Sequence, residues 1–184
     1  MTRLSDKSPA KALAATATDA VSQLCPACGL CCNGVLFADV RLQKGDDPVR
    51  LAALGLSLER RGKTVRFAQP CSALQGNLCC IYAERPARCR SFECRVLQRA
   101  QTGKLTPTTA LKLIQRARRH EEVVRELLLQ LGQRDEHLPL IRRYSQIMAE
   151  PYDLAGDKKV IRLRSRLMLA VHRMMQLLER DFLA

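Results

Sequence analysis

Tryptophan is absent from this 184-residue chain, and the other aromatics are scarce, with four Phe and three Tyr. A core built from it must be aliphatic, from Leu, Val, Ile, Met and Ala. Acidic residues are also few: 18 Asp and Glu stand against 31 Lys and Arg, a formal net charge of +13. No stretch approaches the roughly 20 consecutive apolar residues of a membrane span, so no membrane partner is expected. The opening "MTRLSDKSPAKALAATATDAVSQL" has basic residues but no Leu-rich apolar run before Asp19, and no targeting signal is read there. There is no Gly-rich nucleotide loop. These absences point to a soluble, cytoplasmic protein, where thiols stay reduced.

Cysteine is what the chain has in excess. There are nine, and four of them fall within "CPACGLCC", residues 25–32. The other five are Cys71, Cys79, Cys80, Cys89 and Cys94, and none follows in the last 90 residues. Disulfides would need an oxidising compartment, an even count, and pairs that do not sit side by side as Cys31-Cys32 and Cys79-Cys80 do. Burial as small apolar groups accounts for one or two cysteines, not for four in eight positions. A cysteine nucleophile needs a base, and the three histidines, His120, His137 and His172, lie on expected helices outside the cysteine region. Metal binding remains. Cys25-Pro26-Ala27-Cys28-Gly29 has the form of a thiolate knuckle: two intervening residues let both sulfurs reach one ion, and the glycine permits a positive φ.

Cys31 extends the run to C-x2-C-x2-C, as in ferredoxins, but Cys32 follows at once instead of three residues later. Neighbouring side chains tend to point apart. Cys31 and Cys32 are thus candidates to serve different ions, or two ends of one larger cluster. Cys89 and Cys94 are separated by about 140° on an unbroken helix. Either the helix starts after Cys89, or the two serve different positions.

"CPACGLCC" followed by "PCSAL", "GNLCCIYAERPARCRSFEC" resembles the YkgJ-type cysteine-cluster family, the CxxCxxCC zinc- or iron-chelating domain. The resemblance spans residues 25–95. It implies eight metal ligands: Cys25, Cys28, Cys31, Cys32, Cys71, Cys79, Cys89 and Cys94. Cys80 falls on a variable position. Tyr82, Arg85, Pro86, Arg90 and Phe92 match other positions of the motif, and ordinary roles fit them: packing for Tyr82 and Phe92, a turn at Pro86, and offsetting of thiolate charge by Arg85 and Arg90. One branch of the family is similar to flagellin lysine N-methylase, but no S-adenosylmethionine site is recognisable here.

The expected fold is α+β and mostly α. A flexible leader at 1–22 precedes a cysteine-rich, metal-stabilised module at 23–103, with short helices and a hairpin. A helical region at 104–184 packs on it. Within the module "VLFADVRL" alternates like a strand, "DDPVRLAALG" reads as a capped short helix, and "LSLERRGKTVRFA" as a hairpin around Arg61-Gly62-Lys63. Pro86 can open a helix and Gly103 can close one. Beyond it, Leu111, Ile114, Val124, Leu128 and Leu131 recur at helical spacing, "EHLPLIRRYSQIMAE" is a shorter helix, and Val160, Leu163, Leu167, Val171, Met174, Leu178 and Phe182 form a last stripe.

The expected function is a cytoplasmic metal-binding protein. Its thiolates hold zinc or iron, as single ions, a dinuclear centre or an iron–sulfur cluster, in a structural, redox or metal-handling role. An iron–sulfur enzyme, an oxidoreductase or one resembling a protein-lysine methyltransferase, is the alternative. A nucleic-acid-binding zinc protein is the second alternative, and the weaker one. The runs "RARRH" and "IRLRSR" read as solvated helix faces, and stacking aromatics are nearly absent. Arg85, Arg88, Arg90, Arg95 and Arg99 lie among or just after the second set of cysteines, and are expected to balance thiolate charge.

Overall fold

A computed structural model of the chain describes residues 24–151 and 157–183. The leader at 1–22 lies outside them. Helices predominate, with two small sheets, so the chain is α+β and mostly α.

Residues 24–28 form a helical turn, α1. The alternating stretch at 35–42 yields only a three-residue strand, β1 (Asp39–Arg41). Helix α2 (Pro48–Ala53) starts as its sequence dictates: the Asp47 side chain accepts from the backbone N–H of Val49 and Arg50, and Pro48 occupies the first turn. The hairpin forms as β2 (Leu58–Arg61) and β3 (Thr64–Ala68), turning at Gly62 with φ +58°. β1 joins the other edge of β3, giving an antiparallel sheet of order β1-β3-β2 with Val40 opposite Phe67. A second, two-stranded ribbon pairs β4 (Leu74–Gln75) with β5 (Leu78–Cys79) across the Gly76-Asn77 turn.

The sequence between Pro86 and Gly103 does not make one helix. It makes α3 (Ala87–Ser91) and α4 (Arg95–Gln101). Phe92 leaves helical geometry at ψ 122° and lays its ring edge-on to Phe37, with centroids 4.9 Å apart. Packing of that aromatic pair outweighs helix continuation.

Helix α5 (Pro107–Gln130) opens on Thr106, whose hydroxyl accepts from the Thr109 N–H at 3.2 Å. It packs along α7 (Lys158–Asp181), with α6 (Leu140–Ala149) beside it. The expected stripes are largely those buried, with shifts at the ends. Leu111 and Leu131 are only half-buried, Val160 is exposed, and Ala110, Ala117 and Leu127 join the core. α6 starts later than "EHLPL" suggests because Pro139 holds the chain extended just before it, at ψ 146°. His137 consequently sits in a turn, not on a helix.

Two hydrophobic cores result. The larger lies among α4–α7 and takes in Leu24, Cys28 and Leu30 from the first cysteine segment. The smaller gathers Val40, Leu51, Leu56, Phe67 and Ala73 around the three-stranded sheet.

Candidate metal centre

The first four cysteines are placed by α1, which carries Cys25 and Cys28, and by the tight coil after it, which carries Cys31 and Cys32. The N–H of Gly29 donates to Cys25 O at 3.3 Å, and those of Cys32 and Asn33 both donate to Gly29 O, at 2.9 and 3.1 Å. Gly29 has φ +70°, a region open to glycine and strained for other residues. The second set is brought up by four separate parts of the chain. Cys71 follows the sheet, and its N–H donates to Cys32 O at 2.8 Å. Cys79 ends the β4–β5 ribbon, Cys89 lies on α3, and Cys94 stands at the start of α4.

All eight of these cysteines line one cavity of about 410 Å³. Cys80 is exposed and is not part of the lining. All nine cysteines are free thiols, and none of the three histidines reaches the cavity wall. Among the described residues, no three His, Cys, Asp or Glu side chains already form a group closed enough to hold an ion.

The eight divide in two. Cys25, Cys28 and Cys94 pack into the large helical core, whereas Cys71 and Cys89 pack against the small sheet core. The electrostatics divide them along the same line. Cys28 is pushed up to about 12, first by burial and then by the neighbouring Cys94 and Cys25. Cys31 is held well above its ordinary value by burial, then by Cys28 and Cys94. Its chain neighbour Cys32 is pushed up to about 12 by burial, then by Cys71, Cys89 and Cys79. Cys89 rises to about 11 through burial, Cys71 and Cys79. Cys31 thus responds first to Cys28 and Cys94, with Cys32 and Cys25 after them, and Cys32 first to Cys71, Cys89 and Cys79, with Cys25 last. Cys25, Cys28, Cys31 and Cys94 make one group, and Cys32, Cys71, Cys79 and Cys89 the other. Cys89 and Cys94, too far round a single helix to meet, fall on either side of the break at Phe92.

Such a donor set fits a thiolate-bound metal. Each buried thiol opposes its neighbours' ionisation, because several negative charges would otherwise share a dry site. A divalent cation among them removes that penalty and releases the protons. Backbone groups oppose the shift at three positions: the N–H of Leu30 acts on Cys28, that of Ala73 on Cys71, and those of Leu97 and Val96 on Cys94.

The arginines sort differently from expectation. Arg85 does act on thiols of both groups, favouring ionisation of Cys25 and Cys89. It is steadied by Tyr82, whose carbonyl accepts from Nε at 2.9 Å and whose ring lies 3.6 Å beneath the guanidinium. Arg90 donates to the Arg85 carbonyl instead of facing a thiol. Arg95 caps α7: its N–H donates to Phe182 O and its Nη1 to Arg180 O, each at 3.1 Å. Arg118, inside the run "RARRH", is no solvated residue. It is half-buried, donates to the Cys28 carbonyl, and favours ionisation of Cys28. Arg164 of "IRLRSR" is likewise buried, donating to Glu150 O at 2.8 Å. Spacing held the signal for the first case: Ile114, Arg118, Glu121 and Arg125 repeat at three and four, so they share one face.

A family model described as "putative zinc- or iron-chelating domain" matches residues 24–118, just over half of the sequence and all nine cysteines. The chain belongs to the CxxCxxCC family. The match runs from the first turn of the described chain, through both cysteine sets, into α5. No curated protein and no solved structure matches the chain. Among the described residues of this CxxCxxCC protein, no helix is long and apolar enough to cross a membrane.

Proposed function

We propose that this CxxCxxCC protein binds zinc or iron through Cys25, Cys28, Cys31, Cys32, Cys71, Cys79, Cys89 and Cys94, as two four-thiolate centres. One observation carries this reading: eight cysteines line a single cavity, with Cys25, Cys28 and Cys94 against the helical core and Cys71 and Cys89 against the sheet core, while the ninth is exposed outside it. Bound metal would supply the positive charge that the buried thiols lack. It would also tie the sheet side to the helical side. The role is structural, redox or metal-handling, in a reducing compartment such as the cytoplasm, where these thiols stay free for metal.

Elemental analysis and a visible spectrum of anaerobically purified protein test the reading. Two metal ions per chain are expected, colourless for zinc and absorbing in the visible for iron bound by thiolates. A single iron–sulfur cluster in place of two centres would show as inorganic sulfide with a broad visible band. Cys80→Ser should retain the wild-type metal content, while Cys28→Ser and Cys79→Ser should each lose metal. Equal loss in all three would overturn the ligand set.

A further inference from the structure

The two thiol groups belong to different cores, yet one side chain bridges them. Arg118 leaves α5 from a stretch fixed by its buried neighbours Ile114, Ala117 and Glu121. Its Nη1 donates to the Cys28 carbonyl at 2.9 Å and to Asn77 Oδ1 at 2.5 Å. Cys28 belongs to the first group. Asn77 sits in the β4–β5 turn, two residues before Cys79 of the second. The two segments touch at this point: a Cβ built on Gly29 would lie 3.0 Å from Asn77 Oδ1 and 3.4 Å from Asn77 Cα. A charged donor bound to two neutral acceptors, partly shielded from water, is among the stronger hydrogen-bonding arrangements.

We infer that Arg118 is a positioning residue that locks the knuckle of one centre to the ribbon of the other, so that the two centres hold and release metal as one unit. The inference rests on the metal reading above. The backbone also ties these segments together, through Cys32 N–H to Gly29 O at 2.9 Å and Cys71 N–H to Cys32 O at 2.8 Å, but neither bond holds the β4–β5 ribbon. Without Arg118, the β4–β5 ribbon keeps its own two-stranded pairing but loses its attachment to α5 and the knuckle. Cys79 is then free to move with that ribbon, and the second centre loosens before the first.

Arg125 provides the control. It also reaches from α5 to the first cysteine segment, donating to Asn33 O at 3.3 Å and to Glu121 Oε1 at 2.7 Å. It is comparably shielded, but neither of its bonds reaches the β4–β5 ribbon that carries Cys79. A merely structural role would make the two arginines equivalent.

The test uses the full chain loaded with Zn²⁺, with release followed colorimetrically in excess 4-(2-pyridylazo)resorcinol. Wild type should release its zinc in one phase. Arg118→Ala should give two phases, the faster accelerated roughly tenfold to a hundredfold, the effect of losing a charge-assisted hydrogen bond. Arg118→Lys, which keeps the charge and part of the reach, should restore part of the slow release. Asn77→Ala, which removes one acceptor and leaves the helix untouched, should split the release as well, and it serves if Arg118→Ala does not fold. Arg125→Ala should lower the melting temperature and keep a single phase. Two phases in wild type, or the same response to Arg118→Ala and Arg125→Ala, would overturn the coupling while leaving the metal reading intact. Wild type that takes up no zinc or iron would overturn the metal reading, and this inference with it.

Discussion

Among the described residues, twenty-one buried side chains make up the helical core and five make up the sheet core. The larger one has fully enclosed Leu30, Leu128, Leu167 and Val124 and two long helices lying against each other. The smaller one has Phe67 and four aliphatic residues under three short strands. Burial of that size rarely stabilises a unit by itself, and small domains of this kind need staples or metal. The boundary between the cores runs through the cysteines. Three of the proposed ligands, Cys25, Cys28 and Cys94, therefore lean on the larger core, and two, Cys71 and Cys89, on the smaller one.

Removing metal should separate the regions most clearly. With a strong chelator, β1–β3, α2 and the β4–β5 ribbon should lose amide protection. α4–α7 should keep most of the helical circular dichroism. Hydrogen exchange resolved by segment measures both. The line of loss should follow the cores and not a cut at residue 103, because Leu24, Leu30, Val96 and Leu97 pack with the helices. Equal loss everywhere would mean that the helical core depends on the metal too.

Alkaline pH should press on the same weakness in metal-free protein. Cys32 and Cys89, facing the sheet side, have folded values pushed up to about 12 and about 11 from an ordinary 9.0. Burial is the main cause in both. The folded state therefore holds protons that the unfolded chain gives up. Stability from these thiols is complete below about pH 9 and is lost as pH climbs through 11 and 12. Cys28 on the helical side is pushed up as far, so both regions lose this stability, and the sheet region should melt first because its core is the smaller. Metal-loaded protein should respond in the opposite sense, losing metal as pH falls, because protons then compete for thiolate. Melting curves across pH, with and without zinc, check both signs.

A core truncation on each side sharpens the contrast. Leu167 is wholly enclosed in the helical core, and Leu167→Ala should cost about 2–5 kcal/mol. Its metal content should not change. Phe67→Ala removes the largest side chain of the small core, at a typical cost of about 3–5 kcal/mol, and there metal should be lost along with structure. Denaturant midpoints and metal analysis on the two variants make the comparison.

Much of this arrangement was legible in the sequence, and what was not has identifiable causes. The cap at Asp47, the Gly62 hairpin and the long helical stripes are local signals, and each appears close to where its residues place it. The break at Phe92 was not legible, because it depends on a partner, Phe37, far away in the chain. The arginines were the hardest to read. A guanidinium beside a thiol in sequence looks like a counter-charge, yet Arg90 and Arg95 spend their donors on carbonyls, while Arg118, remote in sequence, reaches the knuckle.

Arg95 gives the smallest and most discriminating effect, since it follows Cys94 directly at the boundary between the regions. Two roles compete for it. As a counter-charge, it would hold the Cys94 thiolate, and Arg95→Ala would loosen metal. As a cap, it would complete the last turn of α7, where orphan carbonyls and the negative end of the helix dipole favour a cation. The geometry favours the cap. Its Nη1 donates to Arg180 O, and Arg95 is not among the charges that move Cys94, which responds to burial, nearby backbone N–H groups and Glu93. The side chain is exposed, so the bond is solvated and the cost should be about 0.5–1.5 kcal/mol. The backbone bond from Arg95 to Phe182 O survives the substitution and keeps α4 docked. Arg95→Ala should therefore lower the denaturant midpoint of the helical region slightly and leave zinc content and release rate at wild-type values. Faster zinc release with an unchanged midpoint would reverse the assignment and move Arg95 to the metal side of the boundary.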